Sequence, residues 1–156
     1  MERLKTAFGY CFATAPGGSY SPILKHHPIA AGRPITIDGA GGQLTVMPFR
    51  QIHGDIDTLG LRVGGLAYSC DLSDLPDSSL PLLTDLEVWI VDALRHRPHP
   101  SHFSLREALT WIERVKPRRA ILTHMHIDLD YATVKREVPP GIEPAYDGMQ
   151  IEMEAP

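Results

Sequence analysis

Residues 119–131 read Arg-Ala-Ile-Leu-Thr-His-Met-His-Ile-Asp-Leu-Asp-Tyr. Ala120, Ile121 and Leu122 form a short apolar run without alternation, the pattern of a buried strand. The run stops at Thr123 and gives way at once to His124, His126 and Asp128. A buried strand that ends in histidines and a carboxylate places polar ligands at a sheet edge, where open α/β architectures build their sites. His124 is therefore taken as the end point of a metal site. His126 is its rival, because two residues further on it would point the same way if the chain stayed extended.

Composition narrows the classes. A chain of 156 residues, 43% of them hydrophobic, can build one domain with a real core. A formal net charge of −4 leaves no basic footprint for general nucleic-acid binding through phosphates. Cys11 and Cys70 form no CxxC pair, which disfavours a disulfide framework or a cysteine-based zinc knuckle and fits a reducing cytoplasm. No apolar run approaches the ~20 residues of a membrane span. The first residues, Met-Glu-Arg-Leu-Lys-Thr-Ala-Phe, contain no signal-peptide core. Eight histidines is a high number for this length, and histidine is the commonest metal ligand, so their placement matters.

Along the chain, residues 1–10 read as a short helix with Leu4, Ala7 and Phe8 on one face. Residues 11–33, rich in Gly, Pro and Ser, read as an irregular connection or a loop over a pocket, with His26 and His27 in it. Residues 34–38, 43–49, 59–63 and 66–69 follow as strands joined by glycine-containing turns, an antiparallel meander. A short, broken helix is expected over 75–86 and a buried strand over 87–92. Ser104 and Glu107 form a capping box, after which Leu105, Ala108, Leu109, Ile112 and Val115 make an apolar helix face ended by Pro117. The strand at Ala120, a helix over 131–137 and a hairpin across 146–149 complete the reading.

Four polar residues share one context. His53 follows the strand ending at Ile52, Asp71 follows the one ending at Cys70, and His124 follows the one ending at Thr123. His102 comes after the strand that ends near Ala93 and just before the helix at Ser104. If those strands are neighbours, their ends converge. They then supply two imidazoles and a carboxylate for a divalent metal, with a further imidazole for proton transfer. Asp92 also ends a strand and is read as structural or as a partner behind the ligands. His96 and His99 are read as part of a solvated loop.

In that order, Gln-Ile-His53-Gly, Tyr-Ser-Cys-Asp71, Ser-His102-Phe-Ser and Leu-Thr-His124 resemble the later motifs of the metallo-β-lactamase fold. The branch is similar to the phosphodiesterases related to the phosphonate-pathway cyclic phosphodiesterase and, further off, the tRNA 3′-processing endonucleases. The resemblance implies an α/β fold, the C-terminal portion of an αββα sandwich, with the meander followed by alternating strands and helices. It implies that His53 ligates one metal, Asp71 bridges two and His124 ligates the second. His102 matches a histidine that protonates the leaving group or stabilises the transition state. The cofactor implied is zinc or manganese, two ions per site in the intact family.

The family's main signature, His-x-His-x-Asp-His, is not among these residues. The expectation is thus one metallo-β-lactamase-like domain over 1–156, incomplete at its N-terminus, with reduced metal occupancy and impaired activity. An uncovered face and an open sheet edge would favour a homodimer. The expected substrate is a small phosphodiester or related ester. The alternatives are a non-catalytic binding module and a lactonase or thioesterase on the same scaffold.

Overall fold

The structure is a computed structural model that describes residues 1–153; the last three residues of the expected 1–156 domain lie outside the described residues. Two short helices come first, α1 (Glu2–Ala7) and α2 (Gly9–Phe12). They are not the single helix expected, because Phe8 leaves helical geometry at φ −130°. The expected apolar face is not buried either: Leu4 and Phe8 both stand about half exposed.

The glycine-joined runs then fold as a meander: β1 (Ile35–Gly39), β2 (Gly42–His53), β3 (Ile56–Val63) and β4 (Leu66–Ser69). Each pairs antiparallel with the next. β2 runs past the expected end at Phe49 because Pro48 costs it nothing. The pairing with β1 stops at Val46, so the missing N–H of Pro48 leaves no ladder bond unmade, and its carbonyl accepts from Gly32 N at 2.8 Å. A 3₁₀ helix, Asp77–Leu83, takes the place of the broken helix.

The second half alternates β5 (Val88–Asp92), α3 (Leu105–Val115), β6 (Arg119–Thr123), α4 (Tyr131–Glu137) and β7 (Ile142–Pro144). All seven strands form one sheet in chain order, and β4 to β7 are parallel. The expected hairpin across 146–149 does not form. The chain returns after Gly141 and adds β7 beside β6 instead, and residues 146–149 make a turn.

Register explains the core. Trp89 lies between Ala67 on β4 and Ala120 on β6, so two small neighbours make room for a fully buried indole. Its Nε1–H donates to Ser69 Oγ at 3.0 Å, so the ring's one polar group is satisfied. Val91 and Leu122 continue that face, which belongs to one core with Leu105, Ala108 and Ile112 of α3 and Val134 of α4. α3 starts on the expected capping box and ends at Lys116 in the left-handed region.

Candidate active site

Strand direction, more than any one motif, assembles the site. Two antiparallel links separate β2 from β4, so the two run the same way. β5 and β6 are parallel to β4. The residues that follow or end these four strands therefore share one sheet edge: His53, Asp71, Asp92 and His124.

The backbone turns sharply at two of them. Asp71 has φ 57° and His124 has φ 60°, both in the left-handed region that non-glycine residues seldom occupy. The Asp71 turn is tied down from β2 and β3. Gln51, fully buried, donates its amide to Cys70 O at 3.0 Å, and the Thr58 hydroxyl donates to Asp71 O at 2.7 Å. After His124 the chain carries Met125 against the core and bonds His126 N to Leu94 O at 2.8 Å. It has left extended geometry, so His126 does not follow His124 into the cluster and instead lies 3.4 Å from Asp128.

His102 arrives from the loop between β5 and α3. Its Nδ1–H donates to Asp92 Oδ2 at 2.7 Å, which leaves Nε2 free to take or give a proton. Its ring centroid lies 4.6 Å from that of His53 and 4.8 Å from that of His124. His53 donates its own Nδ1–H to Ser101 O at 2.6 Å, so its Nε2 presents a lone pair. Gly54 makes that approach possible: it turns at φ 60°, and a Cβ there would come within 3.1 Å of Ser101 Cβ.

Asp92, read from the sequence as structural or as a partner behind the ligands, stands beside both His102 and His124. It is fully buried, and besides His102 it accepts from Leu72 N at 3.4 Å through the same oxygen, Oδ2. Its Oδ1 has no hydrogen-bond partner. His124 Nδ1 lies 3.4 Å from that oxygen and 3.5 Å from Asp71 Oδ1. The usable signal was a carboxylate closing the apolar run of β5 beside strands that end in His and Asp.

A cation fits this arrangement. Asp71, Asp92, His102 and His124 each offer one ligand atom, all within 4.8 Å of one another; the expected ligand His53 is not in that group and stands beside it, against the His102 ring. An orphaned buried carboxylate oxygen facing imidazoles is costly unless positive charge joins it. Oxygen and imidazole donors without thiolate suit zinc and manganese alike. Burial above all, with the nearby Asp71 and Asp92 charges, pushes the Cys70 thiol up against a lowering by the Tyr68 hydroxyl.

A cavity of about 580 Å³ opens beside His124, bordered by Thr123, Tyr146, Asp147 and Met149. A larger one of about 650 Å³ lies along α3 between Leu105, Leu109 and Pro139, and no member of the cluster borders it. The first is the one that a member of the cluster, His124, borders.

The description "Beta-lactamase superfamily domain" matches residues 1–125. The chain belongs to that family. It is similar to a diphosphatase from the PhnP family, at 33% identity and a TM-score of 0.81 over 95% of this chain and 53% of that one. It shares its fold with the metallo-β-lactamase fold protein YhfI from Bacillus subtilis, at 19% identity and a TM-score of 0.67 over 84% of this chain and 57% of that one. A Porphyromonas gingivalis protein named octanoyltransferase is 26% identical over 155 residues, 96% of this chain and 30% of that protein. The chain thus spans 30% and 53% of the length of the octanoyltransferase and the diphosphatase, respectively. The fold and the metallo-β-lactamase resemblance read from the ordered motifs agree with these findings, and the fold implies a divalent metal.

Proposed function

We propose that this chain carries the phosphodiesterase half-site of a metal-dependent hydrolase acting on small phosphodiesters. The observation that carries the reading is the Asp92–His102 pair, 2.7 Å apart, set against the His53 and His124 rings. In it His53, Asp71 and His124 would hold the metal, with the unpartnered Asp92 Oδ1 facing the same place. Asp92, behind His102, fixes the ring so that Nε2 faces the site and can give a proton to the departing alkoxide oxygen. A divalent ion bound there would supply Lewis-acid charge to the phosphoryl oxygens and an acidified water. The remaining work falls to the chain's own groups: the cavity beside His124 seats the organic part of the ester, and Asp92 offsets charge on His102 as it protonates.

The similarity to a PhnP-family diphosphatase supports phosphoryl over acyl chemistry. The octanoyltransferase name belongs to a protein of which the chain matches 30%. Catalytic zinc normally takes three protein ligands and a water. With two imidazoles and one carboxylate as its expected ligands, metal should bind weakly and turnover should be low. Zinc or manganese is expected, in a cytoplasmic setting consistent with free Cys11 and Cys70. Among the described residues no helix is long and apolar enough to cross a membrane.

A homodimer is part of the same reading. Among the described residues β1 forms an outer edge of the sheet, and Ile37 on it and its partner Leu44 on β2 are 51% and 39% exposed. Light scattering at micromolar concentration should give twice the chain mass; a clean monomer contradicts it.

The functional test is hydrolysis of bis(p-nitrophenyl) phosphate with zinc or manganese, beside metal content per chain. On a diester whose leaving group is an alkoxide, which needs that proton as p-nitrophenolate does not, His102→Ala should lower kcat by about 10²- to 10⁴-fold and leave metal content nearly intact. His53→Ala with His124→Ala should remove the metal. Retention of metal in that double variant, or full activity of His102→Ala on the alkoxide diester, would sink the assignment.

A further inference from the structure

The loop between β5 and α3 carries a second histidine that the reading above does not use. His99 sits between two prolines, in Arg97-Pro98-His99-Pro100, so its backbone is stiff on both sides. The Arg95 guanidinium donates to Arg97 O at 3.2 Å and to Pro98 O at 2.9 Å, clamping the loop from inside. Leu94 N bonds Phe103 O at 2.8 Å and Leu105 N bonds Arg95 O at 2.9 Å, closing the base. The ring at the top of this tied loop stands 5.1 Å, centroid to centroid, from His102.

Ser101 decides what that ring can do. Its backbone N–H points at His99 Nδ1, 3.3 Å away, so Nδ1 accepts and the proton of the neutral ring resides on Nε2. The carbonyl of the same residue accepts from His53 Nδ1–H at 2.6 Å. One peptide segment thus sets opposite tautomers in two rings. His53 presents a lone pair, which is what a metal ligand needs. His99 presents an N–H, which is what an anionic oxygen needs.

We propose that His99 is a substrate-contacting hydrogen-bond donor, its Nε2–H meeting a phosphoryl oxygen of the bound ester beside His102. The proposal rests on the phosphodiesterase reading and adds to it the group that holds the anion. No bond is made or broken at His99: it binds and orients, and the proton transfer stays with His102. A fixed N–H aimed at developing charge is worth about 10²- to 10³-fold in a fully enclosed site. His99 is only half-buried, so a loss of about 10- to 100-fold is expected here.

Three measurements test it. Heteronuclear NMR of the imidazole nitrogens, without added metal, should show His99 as the Nε2–H tautomer and His53 as the Nδ1–H tautomer. His99 found as Nδ1–H would overturn the proposal. Calorimetric titration of the metal-loaded protein with inorganic phosphate should show binding weakened about tenfold in His99→Ala, at unchanged metal content. His99→Gln, which keeps an N–H donor, should recover most of it. Loss of metal in His99→Ala would make His99 a ligand and overturn the donor role, as would unchanged phosphate affinity. Thermal melts of both variants separate a folding defect from a lost contact. The third measurement is kcat/KM for the aryl diester, which should fall about 10- to 100-fold in His99→Ala. A parent protein that binds phosphate through His99 yet cleaves no diester would defeat the phosphodiesterase reading and leave the donor assignment standing. A parent that cleaves the diester equally well without His99 would do the reverse.

Discussion

Asp92→Asn separates two roles that a carboxylate at this position combines. The side chain is fully buried, one oxygen serves His102 and Leu72, and the other has no partner. Without metal, that second oxygen is a desolvated, unpaired acceptor on a charged group, a cost of about 1–3 kcal/mol. Asparagine keeps an oxygen to accept from His102 Nδ1–H and turns an amide N–H toward His124 Nδ1, 3.4 Å from the present oxygen. The charge is gone and the shape is kept. The metal-free variant should therefore be more stable by about 1–3 kcal/mol, which for a chain of this size raises Tm by about 2–12 °C. With metal that advantage shrinks. A cation held at about 100-fold above its Kd adds about 2.7 kcal/mol to the parent. Removing one charge from its surroundings should weaken binding at least about tenfold, so the metal-induced rise shrinks by about 1.4 kcal/mol. Differential scanning calorimetry in chelator and across a zinc titration reads both. A lower Tm in chelator would mean that Asp92 and His102 form a net stabilising ion pair in the empty site. An undiminished zinc shift would mean that the orphaned oxygen is not facing a cation. Either result removes the physical ground for placing metal here.

Two further perturbations probe the frame that holds the site. Gly60 pairs with Phe49 across β2 and β3, and a Cβ there would collide with the Phe49 ring and the Gln51 amide oxygen, both on buried side chains. Gly60→Ala should cost about 1–3 kcal/mol by urea denaturation and loosen the Asp71 turn that Gln51 holds; a variant as stable as the parent refutes that packing. At the start of α4, the hydroxyl and then the backbone N–H of Thr133 hold the Asp130 carboxyl below the usual carboxylate range. The folded value lies below the unfolded one of about 4, so this cap's contribution is present above pH 4 or so and is lost as pH falls through the folded value. Asp130→Asn should flatten that part of the acid limb, and superimposable acid limbs for the two proteins would contradict it.

Much of the frame was legible because local chemistry and long-range order agree in it. Glycine-joined strands can only form antiparallel neighbours, the Ser104–Glu107 box can only open a helix, and a buried run such as Ala120–Leu122 belongs inside a sheet. Where tertiary context decided, the reading failed. Asp147-Gly148 has the chemistry of a hairpin turn, but a hairpin needs a strand on each side. Residues 142–144 found β6 to pair with first, and residues 150–153 form no strand. Leu4 and Phe8 have helical spacing but no surface to bury against among the described residues.

The site divides along the same line. His53, Asp71 and His124 could be found by their places at strand ends, since strand direction converts sequence position into position at an edge. Asp92 gave a weaker signal of the same kind and His99 none, because what marks each is a hydrogen-bond partner in the β5–α3 loop. Asp92 is set apart from an ordinary strand-ending carboxylate only by His102, ten residues on in the next loop. His99 is set apart from an ordinary loop histidine only by the Ser101 amide, whose carbonyl fixes His53 on β2. Spacing locates a donor atom, but the hydrogen bond on the far side of the ring decides whether that atom offers a lone pair or a proton. Three of the four imidazoles at this edge have that bond in place within the chain itself: His53 on a carbonyl, His102 on a carboxylate and His99 on an amide. His53 is thereby set to present a lone pair, His99 to present a proton, and His102 to carry one to or from the substrate through Nε2. That asymmetry is what a site must have if it is to hold a cation on one side and an anion on the other.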